Sequence, residues 1–309
     1  MAYYSYAPAE AAFHQAGPIC HLYTKPLETD ILFTSDEERS LALNYIAIAR
    51  YESNCVVLCY SIMTNHFHFI LNGSREQVLS FYERLIRLLN NYYSRHGRGM
   101  LAQALEPGIT PIKDIRQLRN EIAYVIRNAF VVNPNTNVFA DPWSSGFLYF
   151  NPTLIKAGVS AACLKGRGLR DFVKSRTITQ LDERIYVKDG VAQAWSFVDY
   201  ERVMRFYDNA RQYVFSVTKN VEALAETALR YGELPSLDDS ELRPTVFALC
   251  RERLNADKPG LLDEAGQKRL AIMLKNKYCC SNKQLSRLIG LPLKTVDAMF
   301  PLAGTAQNR

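Results

Sequence analysis

Two histidines one residue apart, His66 and His68, sit in the apolar run Cys59-Tyr60-Ser61-Ile62-Met63-Thr64-Asn65-His66-Phe67-His68-Phe69-Ile70-Leu71 of a chain with five histidines in all. Strand side chains alternate between faces, so His66, His68 and Ile70 are expected to share one face and Phe67, Phe69 and Leu71 the other, which reads as pure core. Neutral imidazole is the commonest protein metal ligand and suits intermediate divalent ions, so the pair can hold an ion if a third ligand comes from elsewhere. Spacing alone favours the plainer reading, two polar residues on a solvated strand face, because His-x-His is a weak pattern. A second pair, Tyr124 and Asn128, lies four residues apart in Glu121-Ile122-Ala123-Tyr124-Val125-Ile126-Arg127-Asn128. Residues at that spacing project from one face of a helix. Alone, such a Tyr is usually a core-edge residue and such an Asn a surface one.

The elements that must position these residues are legible in order. Pro18 to Thr24 reads as a strand, and Ser35-Asp36-Glu37-Glu38 has capping-box spacing for a helix carrying Leu41, Leu43, Tyr45, Ile46 and Ile48. Cys55 to Ile62 and His66 to Leu71 read as a strand pair joined by the tight turn Met63-Thr64-Asn65. A helix over about 75–95 sets Val78, Phe81, Leu85, Leu88, Leu89 and Tyr92 on a core face. Its other face carries Arg84, Arg87, Arg95 and the downstream Arg98, with Tyr93 among them, and reads either as a grip for phosphate and a stacked base or as an ordinary solvated face. Pro107, Gly108 and Pro111 read as loop. Leu118, Ile122, Val125 and Ile126 then form the stripe of a helix from about 113 to 131 that carries Tyr124 and Asn128.

At 309 residues, 48% hydrophobic and 22% charged, the composition is that of an ordinary globular protein with room for two domains. The seven cysteines are scattered without C-x-x-C spacing, which predicts reduced thiols rather than a zinc site. The first residues lack the pattern of a secretory signal and no run of eighteen apolar residues occurs, so the expected location is cytoplasmic, associated with the nucleoid, without a membrane partner. The net charge of +6 is concentrated: residues 241–309 hold 12 Lys and Arg against 6 Asp and Glu, and the rest of the chain balances. A basic excess of that kind is the footprint of a nucleic-acid contact, although a solvated basic face looks the same.

The combination of a strand with His21, a helix after Ser35, the Met63-Thr64-Asn65-His66-Phe67-His68 hairpin, the Tyr124-Val125-Ile126-Arg127-Asn128 helix and Pro142-Trp143-Ser144-Ser145 resembles the HUH single-tyrosine transposases, above all the REP-associated tyrosine transposases. The likeness spans about residues 15–150. Thr64 stands where that family favours proline, and Ala129-Phe130 where it favours Pro-Val. The resemblance implies an α+β domain, an antiparallel sheet flanked by helices in the ferredoxin-like HUH nuclease arrangement. It also implies that His66, His68 and the side-chain oxygen of Asn128 bind one Mg²⁺ or Mn²⁺, and that Tyr124 attacks the scissile phosphate of single-stranded or hairpin DNA. A phenol of pKa about 10 needs a metal, a base or Arg127 nearby to form the phenolate, and Arg127 is also expected to contact the DNA. Attack would leave a 5′-phosphotyrosine and a free 3′-hydroxyl, so strands could be rejoined without ATP. A catalytically retired descendant acting as a DNA-binding regulator, and a replication initiator or relaxase of the same group, are the competing expectations.

Beyond residue 150 the chain divides, on this reading, into a helical connector over 151–240 and a DNA-binding unit over 241–309. In the connector, Leu164 to Arg170 reads as a flexible basic loop or a phosphate contact, and 198–206 and 210–231 as helices anchored by Val203, Phe206, Tyr207 and Val214. In the last unit a helix over 268–278 precedes Ser281-Asn282-Lys283-Gln284, again with capping-box spacing, then Gly290 as a helix stop and Pro292 opening a helix over 293–300. Helix, glycine turn and short helix is the helix-turn-helix pattern. It is similar to the tri-helical DNA-binding domains of bacterial regulators and replication initiators. That similarity assigns duplex DNA to this all-α region: Lys294 and Thr295 would begin the recognition helix and Lys283 and Arg287 would touch phosphate. A helical bundle for dimerisation is the competing reading, and monomer and homodimer both stay open.

Overall fold

A computed structural model describes residues 7–25, 27, 30–132, 137–175, 177–219, 239–278 and 280–301. After helix α1 (Ala7–Ala16), the order is β1 (Ile19–Thr24), α2 (Asp36–Ser53), β2 (Val56–Ile62), β3 (Phe67–Asn72), α3 (Arg75–Arg95), β4 (Pro107–Pro111) and α4 (Ile115–Val132). The four strands form one sheet in the order β2-β3-β1-β4, all neighbours antiparallel. This is the split βαββαβ connectivity, with α4 added. The class is mixed α+β, as expected.

Sequence chemistry sets the ends of the helices. Ser35 caps α2 by accepting from the Glu38 amide, and Ser74 caps α3 with a reciprocal box through Gln77. The segment read as loop around Gly108 is instead the edge strand β4, pairing Tyr23 with Gly108. Two prolines are tolerated there because an edge strand has one side without a ladder to donate to. A Cβ on Gly108 would lie 2.1 Å from the Tyr23 ring, so the glycine makes room for that ring on the sheet.

The two faces of the sheet are covered by different helices. Phe69 on one face meets Phe81 of α3 edge-on, with ring centroids 5.2 Å apart. On the other face α4 packs against β2 and β3. Both faces are therefore core, and the expectation of a solvated histidine face is overturned: His68 is 0% and His66 3% exposed. A bulge in β2 between Val57 and Cys59 sets the register so that Ser61 and Tyr23 flank His68 across β3.

The open edge of β2 is closed by later chain. Ile62 donates to the Trp143 carbonyl at 2.8 Å, Ser145 Oγ accepts from the Tyr60 amide at 3.0 Å, and Tyr149 donates to the carbonyl of the bulged Leu58 at 2.6 Å. Asp199 donates to the Val57 carbonyl at 2.9 Å. Edges left open invite foreign strands, so the Trp-Ser-Ser stretch has an identifiable structural task here.

The segment read as a connector shares the first core. Leu169, Phe172, Val203, Phe206, Tyr207 and Tyr213 belong to the same apolar cluster as the sheet. The basic stretch read as a flexible loop forms α5 (Gly166–Val173), whose Leu169, Phe172 and Val173 are buried. Of the two helices read there, α7 (Tyr200–Arg205) and α8 (Ala210–Lys219) are present, after a short α6 (Ala194–Phe197); the expected extension of α8 to 231 lies outside the described residues. Val214, read as an anchor, is 43% exposed, and Tyr213 fills the core position beside it.

The last quarter has its own apolar cluster, built from Leu242, Val246, Leu270, Leu274, Leu285, Ile289, Val296 and Phe300 among others. It is all helical: α9 (Asp239–Leu254), α10 (Glu264–Tyr278), α11 (Asn282–Ile289) and α12 (Leu293–Met299). Gly290 ends α11 at φ 90°, a conformation that glycine adopts without strain. Among the described residues no helix is long and apolar enough to cross a membrane.

Candidate functional site

The face of the sheet under α4 holds a buried polar cluster. His21 of β1 and His68 of β3 stand diagonally across the ladder, and His21 Nε2 lies 3.0 Å from His68 Nδ1. On its other side His21 Nδ1 lies 2.9 Å from Glu121 Oε2 of α4. His21 and His68 are 0% and Glu121 1% exposed. Tyr124 follows Glu121 by one helical turn and packs edge-on against His68 at 5.5 Å and His21 at 6.0 Å between ring centroids. Tyr23 stacks beside His68 at 6.3 Å. The i, i+3, i+7 spacing of Glu121, Tyr124 and Asn128 puts all three on the helix face turned to the sheet.

His66 reaches the cluster differently. It precedes β3 rather than starting it, in a turn closed by the Met63 amide donating to the His66 carbonyl at 2.9 Å. Its ring sits 4.9 Å from that of His68. Asn65 holds it: the Asn65 Nδ2 donates to the Leu27 carbonyl at 2.9 Å, which turns Oδ1 toward His66 Nδ1 at 2.8 Å. An amide oxygen only accepts, so His66 carries its proton on Nδ1 and its lone pair on Nε2. The Leu27 carbonyl is shared, because Asn276 of α10 donates to it at 2.7 Å from the C-terminal unit. One carbonyl thus ties the turn bearing His66 to the last quarter of the chain.

Asn128 is 2% exposed and its Nδ2 has no hydrogen-bond partner. Buried polar atoms without partners are rare and mark places where something else is to be bound or strain is held. Arg127, between Tyr124 and Asn128, is half-buried with Nη1 unpartnered, and burial lowers its pKa from the ordinary guanidinium value. Two imidazoles and an amide oxygen are a donor set that suits a divalent ion of intermediate softness. Among the described residues no group of three or more His, Cys, Asp or Glu is arranged to hold a metal. The expected set contains only two residues of those types, its third member being the amide.

Compared with known protein families, curated proteins and solved structures, the chain matches none.

His68 meets both His66 and Tyr124, the grouping that the resemblance implied, with Asn128 on the same helix face as Tyr124. Of the arginines expected to grip DNA, Arg127 is on α4 between Tyr124 and Asn128, but Arg84, Arg87 and Arg95 are not part of this cluster. They lie on α3, across the sheet, where Arg84 pairs with Glu52 at 3.0 Å, Arg95 donates to the Lys174 carbonyl at 2.6 Å and Arg87 is exposed. Tyr93, read on that outer face, is instead fully buried, and its hydroxyl donates to the Leu32 carbonyl at 2.7 Å; Tyr92 takes the half-exposed position. In the last unit Lys283 and Lys294 are exposed and Thr295 half-buried, while Arg287 forms a two-pronged pair with Asp239 at 2.8 and 3.1 Å. Sequence reasoning did not foresee the parts of Glu121 and Asn65, and took His21 only as a strand marker. The signal was available in kind: each is a polar residue where the local pattern is apolar or turn-forming.

Proposed function

We propose that the protein cuts and rejoins single-stranded DNA with Tyr124 as nucleophile and a divalent ion, Mg²⁺ or Mn²⁺, held by His66, His68 and Asn128, in the manner of the HUH single-tyrosine transposases. The observation that carries this reading is the contact of the Tyr124 ring with His68 inside a buried His and Glu cluster. A bound ion would supply positive charge to the scissile phosphate and offset the charge that builds up in the transition state. The chain's own residues do the rest. Tyr124 Oη forms a bond to phosphorus as the bond from phosphorus to the 3′-oxygen breaks; the phenol proton leaves and the 3′-oxygen takes one up. Attack by another 3′-hydroxyl reverses the step and joins strands. Arg127, three residues after Tyr124 on α4, would supply a cation for the phenolate. Exposed Lys283 and Lys294, at the helix-turn-helix-like α11 and α12, would meet duplex phosphate.

A second reading has its own observation. Tyr124 is 3% exposed, so its side chain has to be uncovered before DNA can reach it. A retired catalytic domain kept for its fold, in a DNA-binding regulator, would be closed in this way. The two readings separate on a denaturing gel with hairpin oligonucleotides and Mn²⁺. The enzyme reading expects a protein–DNA covalent band that Tyr124→Phe abolishes while binding stays within a few-fold. A band that persists in the Phe variant overturns the nucleophile assignment, and a folded wild type that gives no band supports the regulator.

A further inference from the structure

The chain from Glu121 through His21 to His68 fixes more than position. An ionised carboxylate only accepts hydrogen bonds, so at 2.9 Å from Glu121 Oε2 the Nδ1 of His21 carries a proton. A neutral His21 then has its lone pair on Nε2, and at 3.0 Å this nitrogen accepts from His68 Nδ1. His68 is left with its lone pair on Nε2. We infer that Glu121 and His21 are positioning residues that lock His68 as its Nδ1–H tautomer and so present Nε2 to the divalent ion, as Asn65 does for His66.

The inference rests on the metal site proposed above for its purpose, but not for its existence. Three features support it. His21 and Glu121 come from elements far from β3 in the sequence, so the arrangement is tertiary and not a by-product of a local turn. All three side chains are excluded from water, where a wrong tautomer would leave two lone pairs, or two protons, facing each other at 3.0 Å. And the two candidate ligands, from different backbone settings, have the same ring nitrogen, Nδ1, held in a hydrogen bond. A metal-ligating histidine usually donates its other ring N–H to a carboxylate, carbonyl or water, and losing that partner commonly costs 10–100-fold in metal affinity. Here the carboxylate acts at one remove, through a second imidazole.

The test begins without metal. Two-bond ¹H–¹⁵N spectra of the full chain labelled at histidine, at pH 7.5, report which ring nitrogen of each residue is protonated; a His68→Gln variant assigns the His68 signals. The expected pattern for His68 is protonated Nδ1 and bare Nε2. Protonated Nε2 with bare Nδ1, the pattern an imidazolium at His21 would impose, overturns the inference. Two variants then probe the role. His21→Phe keeps a ring but removes the acceptor, and is expected to release the His68 tautomer and weaken Mn²⁺ binding, followed by electron paramagnetic resonance, 10–100-fold. His21→Gln restores an acceptor oxygen and is expected to recover the wild-type tautomer and affinity within a few-fold. Mn²⁺ affinity unchanged in a cooperatively melting His21→Phe protein overturns the positioning role. If wild type and His68→Gln bind Mn²⁺ equally poorly, it is the metal reading that falls, and the metal-free spectra still decide whether Glu121 and His21 set His68.

Discussion

The shared Leu27 carbonyl makes a quantitative prediction about how the two cores of the molecule support each other. Asn65 Nδ2 and Asn276 Nδ2 both donate to it, at 2.9 and 2.7 Å, and Leu27 is 7% exposed. In Asn276→Ala the carbonyl keeps its Asn65 bond. That variant also loses the bond to the Asp30 carbonyl at 3.1 Å, but removes an Oδ1 that is itself buried and unpartnered. With about 1 kcal/mol for a net hydrogen bond, the expected cost is about 1 kcal/mol. Asn65→Ala also keeps one bond on the carbonyl but strands the buried Nδ1–H of His66, and an unsatisfied buried donor costs about 1–3 kcal/mol, giving about 3 kcal/mol in all. In the double variant alone the carbonyl has neither amide. The two losses should therefore exceed their sum by about 1–2 kcal/mol. Urea unfolding of the four proteins, with slopes that agree, measures this coupling directly. Additivity within about 0.5 kcal/mol would refute the reasoning, because independent sites add to that precision and groups sharing one acceptor do not.

Further expectations concern the surroundings of the cluster and the tail. Burial raises the Asp141 carboxyl to about 6 despite the opposing Trp143 backbone bond and nearby Arg39. A proton bound more tightly in the folded state means stability that is full below the unfolded value near 3.8 and is lost as pH rises through about 6. Asp141→Asn, which mimics the neutral acid, should therefore gain roughly 3 kcal/mol over wild type at pH 7.5 and nothing below pH 4; a gain independent of pH would contradict this. A Cβ on Gly146 would lie 2.7 Å from the Val138 carbonyl and 2.8 Å from Ile126 Cγ2, so Gly146→Ala should cost about 1–3 kcal/mol by overpacking, read as a lowered urea midpoint. Lys283→Glu with Lys294→Glu should weaken duplex binding and flatten its salt dependence by about two phosphate contacts while leaving the chain's stability unchanged; an unaltered salt slope would remove these residues from the DNA surface.

What was legible in the sequence is what depends on local period. The alternation around His68, the cap at Ser35 and the stripe of Leu118, Ile122, Val125 and Ile126 placed β1, α2, β2, β3 and α4 within a few residues. Local rules failed where position in the sheet decides the outcome: Pro107 and Pro111 read as loop because prolines break ladders, and only the edge position of β4 makes them compatible with a strand. Tyr92 and Tyr93 exchanged roles because adjacent residues on a helix differ by about 100° of rotation, and a small error in the direction of the core swaps them. The pairing of His21 with Glu121 spans a hundred residues and has no period at all. Yet its members were not hidden. His21 interrupts an apolar strand, and Glu121 adjoins Ile122 within the helix stripe. A polar side chain on a face that must be buried has to find a partner, since leaving it without one costs more than a typical bond returns. Polar residues on buried faces are thus a short list of groups that must meet one another, and in this chain the list reads His21, His68, Glu121 and Tyr124 once α4 is known to cover that face of the sheet.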